Sequence, residues 1–368
     1  MTGVDSDIRL RGTCHVLLAF EVGLAVDLAR AAAALRNSGR ARMPSARNPG
    51  GCDWSDPPLA LEQDGPSLRV SGHEVAHAVQ VRIHDFGAIS LGYRIPFEGR
   101  MDDLAALSAA LVAHAGLLQD GRDRVATLLA SMGGTVRRPQ VRPYVEDYVV
   151  LAMEGPPGVP ARELLDRLGE GDVARVLRAE PSALSDEEVR DSLSATISYG
   201  PGDVAVIDWN AALLLDAEPQ ATIDVLAFAN VELLEYRVLD EQLDAAMDQA
   251  HATLVRRRSY AARLHAGRRD MERLAELQTD AALLYEEINN ALKLLGDQFL
   301  ARLYRLASRR LHLDAWERST LRKLETLESI YDKLSNEQNS RRAELLEWII
   351  IVLIASEIVF AFLGVLKP

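Results

Sequence analysis

The sequence predicts an α+β protein with three parts: an N-terminal mixed domain of the ferredoxin-like (split βαβ) type, a long helical coiled-coil hairpin, and one C-terminal transmembrane helix. Three observations lead to this prediction. Fourteen of the fifteen prolines lie at or before Pro219, and proline breaks helix interiors, so the region after it is predicted to be helical. Apolar residues in that region recur at alternating steps of three and four. The segment from Trp348 to Leu366 is almost wholly apolar.

Composition narrows the possible functions. The chain has 368 residues and a formal net charge of −13. Nucleic-acid binding needs a basic surface, so we expect no nucleic acid among its partners. Cys14 and Cys52 are the only cysteines, and the N-terminal residues show no signal peptide. Both observations favour a reducing cytoplasm.

Residues 1–155 are predicted to form the mixed domain. Strands are expected at residues 13–22, 75–83, 88–95 and 144–153, with helices at 24–36 and 101–131 and a long loop at 37–66. Within the second strand, Val79, Val81 and Ile83 alternate with polar residues and therefore share one face. The order β-α-β-β-α-β is that of the split βαβ arrangement.

Residues 156–220 are predicted to hold short helices and a small β-sheet segment. Ser185 followed by Glu188 forms a capping box, in which the serine caps the helix and the glutamate stands three positions later. Strands are expected near residues 195–199, 204–207 and 211–215.

Residues 221–345 are predicted to be a helical coiled-coil region, with helices at about 221–257 and 268–312 and a third that begins near Asp314. In the third, Leu324, Leu327, Tyr331 and Leu334 follow the heptad spacing that brings apolar side chains to one seam. Two arrangements fit this seam: an antiparallel hairpin within one chain, or a coiled coil between chains. We expect a homo-oligomer.

Residues 346–366 are predicted to span a bilayer. Nineteen helical residues reach about 28 Å at 1.5 Å each, and the hydrocarbon core is about 30 Å thick. Arg341 and Arg342 precede the segment, and basic residues favour the cytoplasmic side. We therefore expect a single-pass protein of the cytoplasmic membrane, in contact with the lipid bilayer, with its N-terminal domain in the cytoplasm. The alternative is a buried helix of a soluble core, which is also apolar all round.

Glu357 lies near the midpoint of this segment. An intramembrane carboxylate usually faces a partner group. The alternative is a protonated glutamate that a strongly apolar helix tolerates, with its pKa raised by desolvation. The sequence leaves both interpretations open.

The segment His73-Glu74-Val75-Ala76-His77 matches the zinc motif H-E-x-x-H. That motif requires a helix, which places both histidines on one face. The residues that follow alternate as a strand, and in a strand His73 and His77 would lie about 13 Å apart, too far for one zinc ion. We therefore expect that this segment binds no metal, and that the protein has no cofactor and no catalytic residues.

The C-terminal residues resemble a known family. Leu346-Glu347-Trp348, Glu357 and the upstream Arg341 match a terminal pattern, and Trp209-Asn210 matches an earlier strand motif, of the "required for meiotic nuclear division"/YagE-like family of membrane-anchored proteins. The resemblance covers residues 195–366. It implies a non-enzymatic scaffold at a membrane, and the absence of a mitochondrial presequence favours a bacterial protein.

The functional prediction is a membrane-anchored, non-enzymatic scaffold or tethering protein that acts through self-association and an unidentified protein partner. Its anchor and assembly residues are expected to be Arg341, Arg342, Glu347, Trp348, Glu357, Leu324, Leu327, Tyr331 and Leu334. The alternative function is a membrane-bound zinc hydrolase that uses His73, Glu74 and His77.

Overall fold

The computed structural model describes residues 8–38, 57–256 and 297–330, together with the single positions 277, 279, 332, 350, 351, 353 and 354. Strand-forming residues cluster before residue 216. The strands are β1 (Leu10–Glu21), β2 (Ala25–Val26), β3 (Leu59–Asp64), β4 (Arg69–Val70), β5 (His73–Glu74), β6 (Ala78–Ile83), β7 (Ala88–Gly99), β8 (Val136–Arg137), β9 (Val145–Glu154), β10 (Thr196–Ile197), β11 (Val204–Ile207) and β12 (Ala211–Leu215).

Eight of these strands form one mixed sheet in the order β10-β11-β12-β9-β1-β7-β6-β3. Strand β1 lies near its middle, antiparallel to both β7 and β9, with Val16 opposite Tyr93 on one side and Val149 on the other. Between β6 and β7, Gly87 adopts a φ of 103°, which a side chain would disfavour. This allows the turn at Asp85-Phe86-Gly87.

The prediction of a ferredoxin-like split βαβ domain is wrong. Strand β12 pairs with β9 in parallel, with Leu213 opposite Leu151, so β10, β11 and β12 extend the sheet of the N-terminal strands. All five residues of β12 are buried, as expected of an internal strand that is covered on both faces. The result is an eight-stranded mixed sheet in place of a small ferredoxin-like sheet.

Helices flank the sheet. They are α1 (Leu28–Ser38), α2 (Met101–Leu111), α3 (Ala115–Met132), α4 (Ala161–Leu168), α5 (Glu170–Arg178), α6 (Asp186–Ser192), α7 (Gln220–Arg256), α8 (Gln298–Arg310) and α9 (residues 313–330). Ser185 caps α6 as predicted, since its side chain accepts a hydrogen bond from the Glu188 amide.

The two faces of β1 meet different helices. Cys14, Val16, Leu18 and Phe20 belong to the main core, which also contains buried residues of α1 to α5. Ala19 points to the opposite face because successive side chains alternate, and it packs in a separate cluster with residues of α7. Helix α7 thus covers the face of the sheet opposite the main core.

The predicted coiled-coil hairpin is wrong for the described part of the chain. The expected helix over residues 268–312 is interrupted, because Asp297 is an N-cap with extended backbone whose side chain accepts a hydrogen bond from the Phe299 amide. A helix begins there at Gln298. A second break follows at Leu311 and His312, where His312 has a φ of 57°. In the described residues, these two breaks separate the helices that were expected to be continuous.

The prediction of a transmembrane helix is also corrected. Within the residues that the structure describes, no single helix is both long and apolar enough to cross a bilayer. The consecutive helices α2 and α3 satisfy the length and composition criteria only as a pair, and they meet at 49°. Most of residues 346–366 lies outside the described residues.

By its contacts the chain divides into two units, Met1–Val238 with Asp280–Glu317, and Leu239–Thr279 with Arg318–Pro368. The first contains the sheet. In the second, Lys323 Nζ of α9 lies 2.7 Å from Asp240 Oδ1 and 2.6 Å from Asp244 Oδ1 of α7. The two carboxylates are four positions apart and so share one helix face, which places this part of α7 beside α9.

Candidate functional site

Helix α8 packs against β11, near the edge of the sheet, and a cavity opens beside it. At the start of α8 the ring of Phe299 contacts Tyr199, with centroids 5.5 Å apart. At its end Arg310 reaches Asp208, which directly follows β11. The cavity along this helix, which we name the α8 cavity, has a volume of about 670 Å³. It is lined by Thr196, Ile197, Glu232, Tyr236, Arg302, Tyr304, Arg305, Leu306, Ser308, Arg309, Leu313, Asp314 and Glu317.

The floor of the cavity contains a buried carboxyl group, that of Glu232 on α7. Its residue is only 4% exposed, and the hydroxyl of Tyr304 donates a hydrogen bond to its Oε2. Burial raises the pKa of Glu232 to about 8, the bond from Tyr304 lowers it, and the nearby Glu317 and Asp314 raise it. Glu232 is therefore mostly protonated, and neutral, at pH 7.

Tyr304 is the second floor residue. Burial, followed by the adjacent Glu232 carboxyl, raises the pKa of its phenol well above the ordinary value. The phenol therefore stays a neutral hydrogen-bond donor. Its ring lies 6.2 Å from that of Phe228 between centroids, so an aromatic contact with α7 adds to the hydrogen bond in holding the side chain against that helix.

Three exposed arginines stand at the rim: Arg302, Arg305 and Arg309. Their spacing of three and four residues puts them on one side of α8. Arg305 Nε donates to the carbonyl of Ala301 at 3.2 Å, and Arg309 Nε donates to the carbonyl of Arg305 at 3.3 Å. These bonds hold both side chains along the helix surface, in the direction of the helix N-terminus. The rim therefore presents a row of cations near the neutral Glu232–Tyr304 pair.

A buried ion-pair network fixes the end of α8. Asp208 is fully buried, and Arg310 Nε donates to its Oδ1 at 2.8 Å. Arg178 Nε, from the end of α5, lies 2.6 Å from Asp208 Oδ2. Asp191 of α6 accepts from Nη2 of both arginines at 2.6 Å. The network thus ties α5, α6 and the β11–β12 turn to α8, and so sets the position of one wall of the cavity.

The comparisons with known proteins place the part of the chain that contains the sheet in one family. A family model described as "Uncharacterized protein MJ0711, N-terminal domain" matches residues 11–221, which is more than half of the chain. The chain belongs to this family. A relative, "Uncharacterized protein MJ0711" from Methanocaldococcus jannaschii, is 25% identical over 198 residues, which is 51% of this chain and 58% of the relative. The match thus spans less than two thirds of that relative's length. No solved structure matches.

Two predictions are corrected by these comparisons. The resemblance to the "required for meiotic nuclear division"/YagE-like family is wrong, because the family model that matches is a different one. The bacterial origin, which the absence of a mitochondrial presequence favoured, conflicts with the archaeal source of the relative. The resemblance depended on a short C-terminal pattern of common residue types, whereas the matching family model covers the sheet-forming part of the chain.

The zinc-like segment forms part of a small hairpin. His73 and Glu74 make up β5, and Glu74 forms an ion pair with Arg69 of β4. The hydrogen bond from Arg69 is the largest cause that lowers the pKa of Glu74. The ring of His73 lies 5.5 Å from that of Phe97 between centroids. In the described ranges, no group of three or more histidine, cysteine or acidic residues could hold a metal ion.

Two of the predicted assembly residues are buried within the chain. Leu324 is 8% exposed and Leu327 is fully buried, so their side chains are already covered without a second copy. The others, Tyr331, Leu334, Arg341, Arg342, Glu347, Trp348 and Glu357, lie outside the described residues.

Trp209, which the sequence analysis noted with Asn210, follows Asp208 in the β11–β12 turn. Its ring centroid lies 5.9 Å from the guanidinium carbon of Arg178, and the residue is 53% exposed. Its position is therefore next to the ion-pair network.

Sequence reasoning missed Glu232, Tyr304, Asp208, Arg178 and Arg310. A signal for Glu232 was present: it stands in the apolar run AFANVELL, where an ionisable residue on a buried helix face needs a polar partner. No comparable signal identified Tyr304 as that partner, since the two residues are 72 positions apart.

Proposed function

We propose that the protein is a non-enzymatic binding protein that holds a ligand in the α8 cavity. One observation supports this most directly: a cavity of about 670 Å³ has a buried carboxyl group, Glu232, at its floor. Ligand sites commonly measure about 300–1,000 Å³ and have a few fixed polar groups. A carboxyl group with a strongly perturbed pKa inside a cleft is a common mark of a functional site.

The lining favours binding over turnover. Among the residues that the structure describes, no cysteine or histidine lines the cavity. The hydroxyl of Ser308 donates a hydrogen bond to Asp314 Oδ1 at 3.4 Å, a contact that would have to shorten for Asp314 to act as its general base. Tyr304 donates its hydroxyl proton to Glu232, which fixes both side chains in the cavity lining.

The predictions of self-association, of a protein partner, of contact with a lipid bilayer and of location at the cytoplasmic membrane stay predictions. A scaffold role is compatible with ligand binding.

The proposal is tested by blocking the cavity. Protein purified from its native source is analysed by native mass spectrometry, which should detect a bound ligand of defined mass. Thr196 lies on β10 and lines the cavity, so Thr196→Trp should remove that mass. The matched control is Thr127→Trp on the exposed side of α3, which should keep it.

Two results would contradict the proposal. One is a protein that carries no ligand and shows no shift of melting temperature with any member of a metabolite panel. The other is chemical conversion of the bound ligand at a rate that Thr196→Trp abolishes, which would make the protein an enzyme.

A further inference from the structure

We infer that the ligand of the α8 cavity is a small polyhydroxylated molecule that carries an anionic group, of the sugar-phosphate or sugar-acid class. This inference rests on the proposed binding function and specifies the chemistry of the ligand. The anion would lie on the arginine row of α8, and the hydroxyl groups would contact the floor around Glu232.

The arginine row provides the anion site. Arg302, Arg305 and Arg309 span seven positions, which is about 10.5 Å along a helix at 1.5 Å per residue. The hydrogen bonds described for Arg305 and Arg309 use Nε alone, so within the described part of the chain their terminal amino groups remain for a ligand. Guanidinium groups bind phosphate and carboxylate oxygens in a bidentate manner.

The floor provides the hydroxyl site. Glu232, Thr196, Ser308 and Tyr304 all line the cavity. The hydroxyl of Thr196 already donates to the Leu193 carbonyl, that of Ser308 to Asp314 and that of Tyr304 to Glu232, so each hydroxyl offers a ligand its oxygen as an acceptor. An apolar ligand would bring no donor to these acceptors, at a cost in free energy, whereas a ligand rich in hydroxyl groups can donate to them.

The charge balance favours an anion. With Glu232 neutral, the ionised lining side chains are the three arginines against Asp314 and Glu317, a net charge of +1. The groups that face Glu232 are Tyr304 from α8, and Asp314 and Glu317 from α9. Tyr236, which lies on α7 with Glu232, also interacts with Tyr304. A bound anion disfavours ionisation of Glu232, so anion binding and protonation of Glu232 support each other.

Isothermal titration calorimetry on the full chain tests the inference with three probes: ribose 5-phosphate, gluconate and ribose. We expect one of the two anions to bind at least tenfold more tightly than neutral ribose, and the stronger of the two identifies the anion class. Arg305→Gln should weaken that binding about tenfold or more. The matched control, Arg122→Gln on the exposed side of α3, should leave it unchanged.

The pH dependence separates a role for Glu232 from a general effect of charge. The phosphate group is already fully ionised near pH 7.5, so a several-fold loss of affinity for ribose 5-phosphate between pH 7.5 and 9 would report ionisation of Glu232. Glu232→Gln keeps a hydrogen-bonding side chain that cannot ionise, so its affinity should not change between the two pH values.

The outcomes distinguish this inference from the proposed function. If ribose binds as tightly as both anions, or if no probe binds while the purified protein still carries a ligand that Thr196→Trp removes, the ligand class is wrong and the binding function stands. If no probe binds and no ligand is carried, both are wrong.

Discussion

The hydroxyl of Tyr304 on α8 donates a hydrogen bond to the carboxyl group of Glu232 on α7, and both residues are buried. Neither residue lies within the span that matches the family model. The pair joins two helices that are far apart in the chain and forms the floor of the α8 cavity. It therefore contributes to stability as well as to the site.

Tyr304→Phe should lower the free energy of unfolding by about 1–3 kcal/mol, because it leaves the buried Glu232 without its donor. Urea denaturation followed by circular dichroism measures this change. Tyr199→Phe is the control: Tyr199 is 80% exposed, so the loss of its hydroxyl should cost less than about 0.5 kcal/mol. Equal losses in the two variants would show that the Tyr304–Glu232 bond makes no special contribution.

Stability should fall as the pH rises through the neutral range. Folded Glu232 keeps its proton up to about pH 8, whereas the ordinary glutamate pKa is 4.5. Between these values the folded state holds more protons than the unfolded state, so the free energy of unfolding decreases with rising pH. One proton accounts for at most about 1.4 kcal/mol per pH unit.

The measurement is a series of urea denaturation curves from pH 7 to 8.5, above the ordinary histidine pKa of 6.5. Glu232→Gln should flatten the decline. Glu235 contributes at the lower end of this range, because burial raises its pKa to about 7 against a hydrogen bond with Glu21 that lowers it. An identical slope in wild type and Glu232→Gln would refute the assignment.

Asp208→Ala should destabilise the protein by about 3–5 kcal/mol, because it leaves Arg178 and Arg310 without their buried counter-charge. Hydrogen exchange should also increase in α8, whose last turn the network holds. The control is Asp166→Ala, which removes an exposed ion pair with Arg162 and should cost less than about 1 kcal/mol. Unchanged exchange in α8 would mean that the network does not position this helix.

Two glycine substitutions should act in opposite directions. A Cβ at Gly121 in α3 would lie 2.9 Å from Phe20 Cζ, inside the core, so Gly121→Ala should destabilise by about 1–3 kcal/mol despite its better helix propensity. A Cβ at Gly171 in α5 meets nothing within 4 Å, so Gly171→Ala should stabilise by about 0.5–1 kcal/mol. Thermal denaturation of both variants tests the pair, and a gain in stability at Gly121 would contradict the packing argument.

The local elements followed from local sequence. Alternation at Val79, Val81 and Ile83 predicted β6, because side chains of a strand alternate between faces over a few residues. Ser185 predicted the start of α6, because a cap acts within one turn. The prediction of one long helix over residues 268–312 failed because it overlooked a local signal, the helix cap at Asp297.

Tertiary structure alone decided the sheet order and the site. Nothing within β12 indicates that it pairs with β9, because the pairing joins residues more than 60 positions apart. It depends on how the helices between the two strands pack on the sheet. The same holds for Glu232 with Tyr304, and for Arg178 with Asp208 and Arg310. Composition and periodicity determine which segments are buried. Which segments pack against each other depends on contacts between distant parts of the chain, and no single segment specifies those contacts.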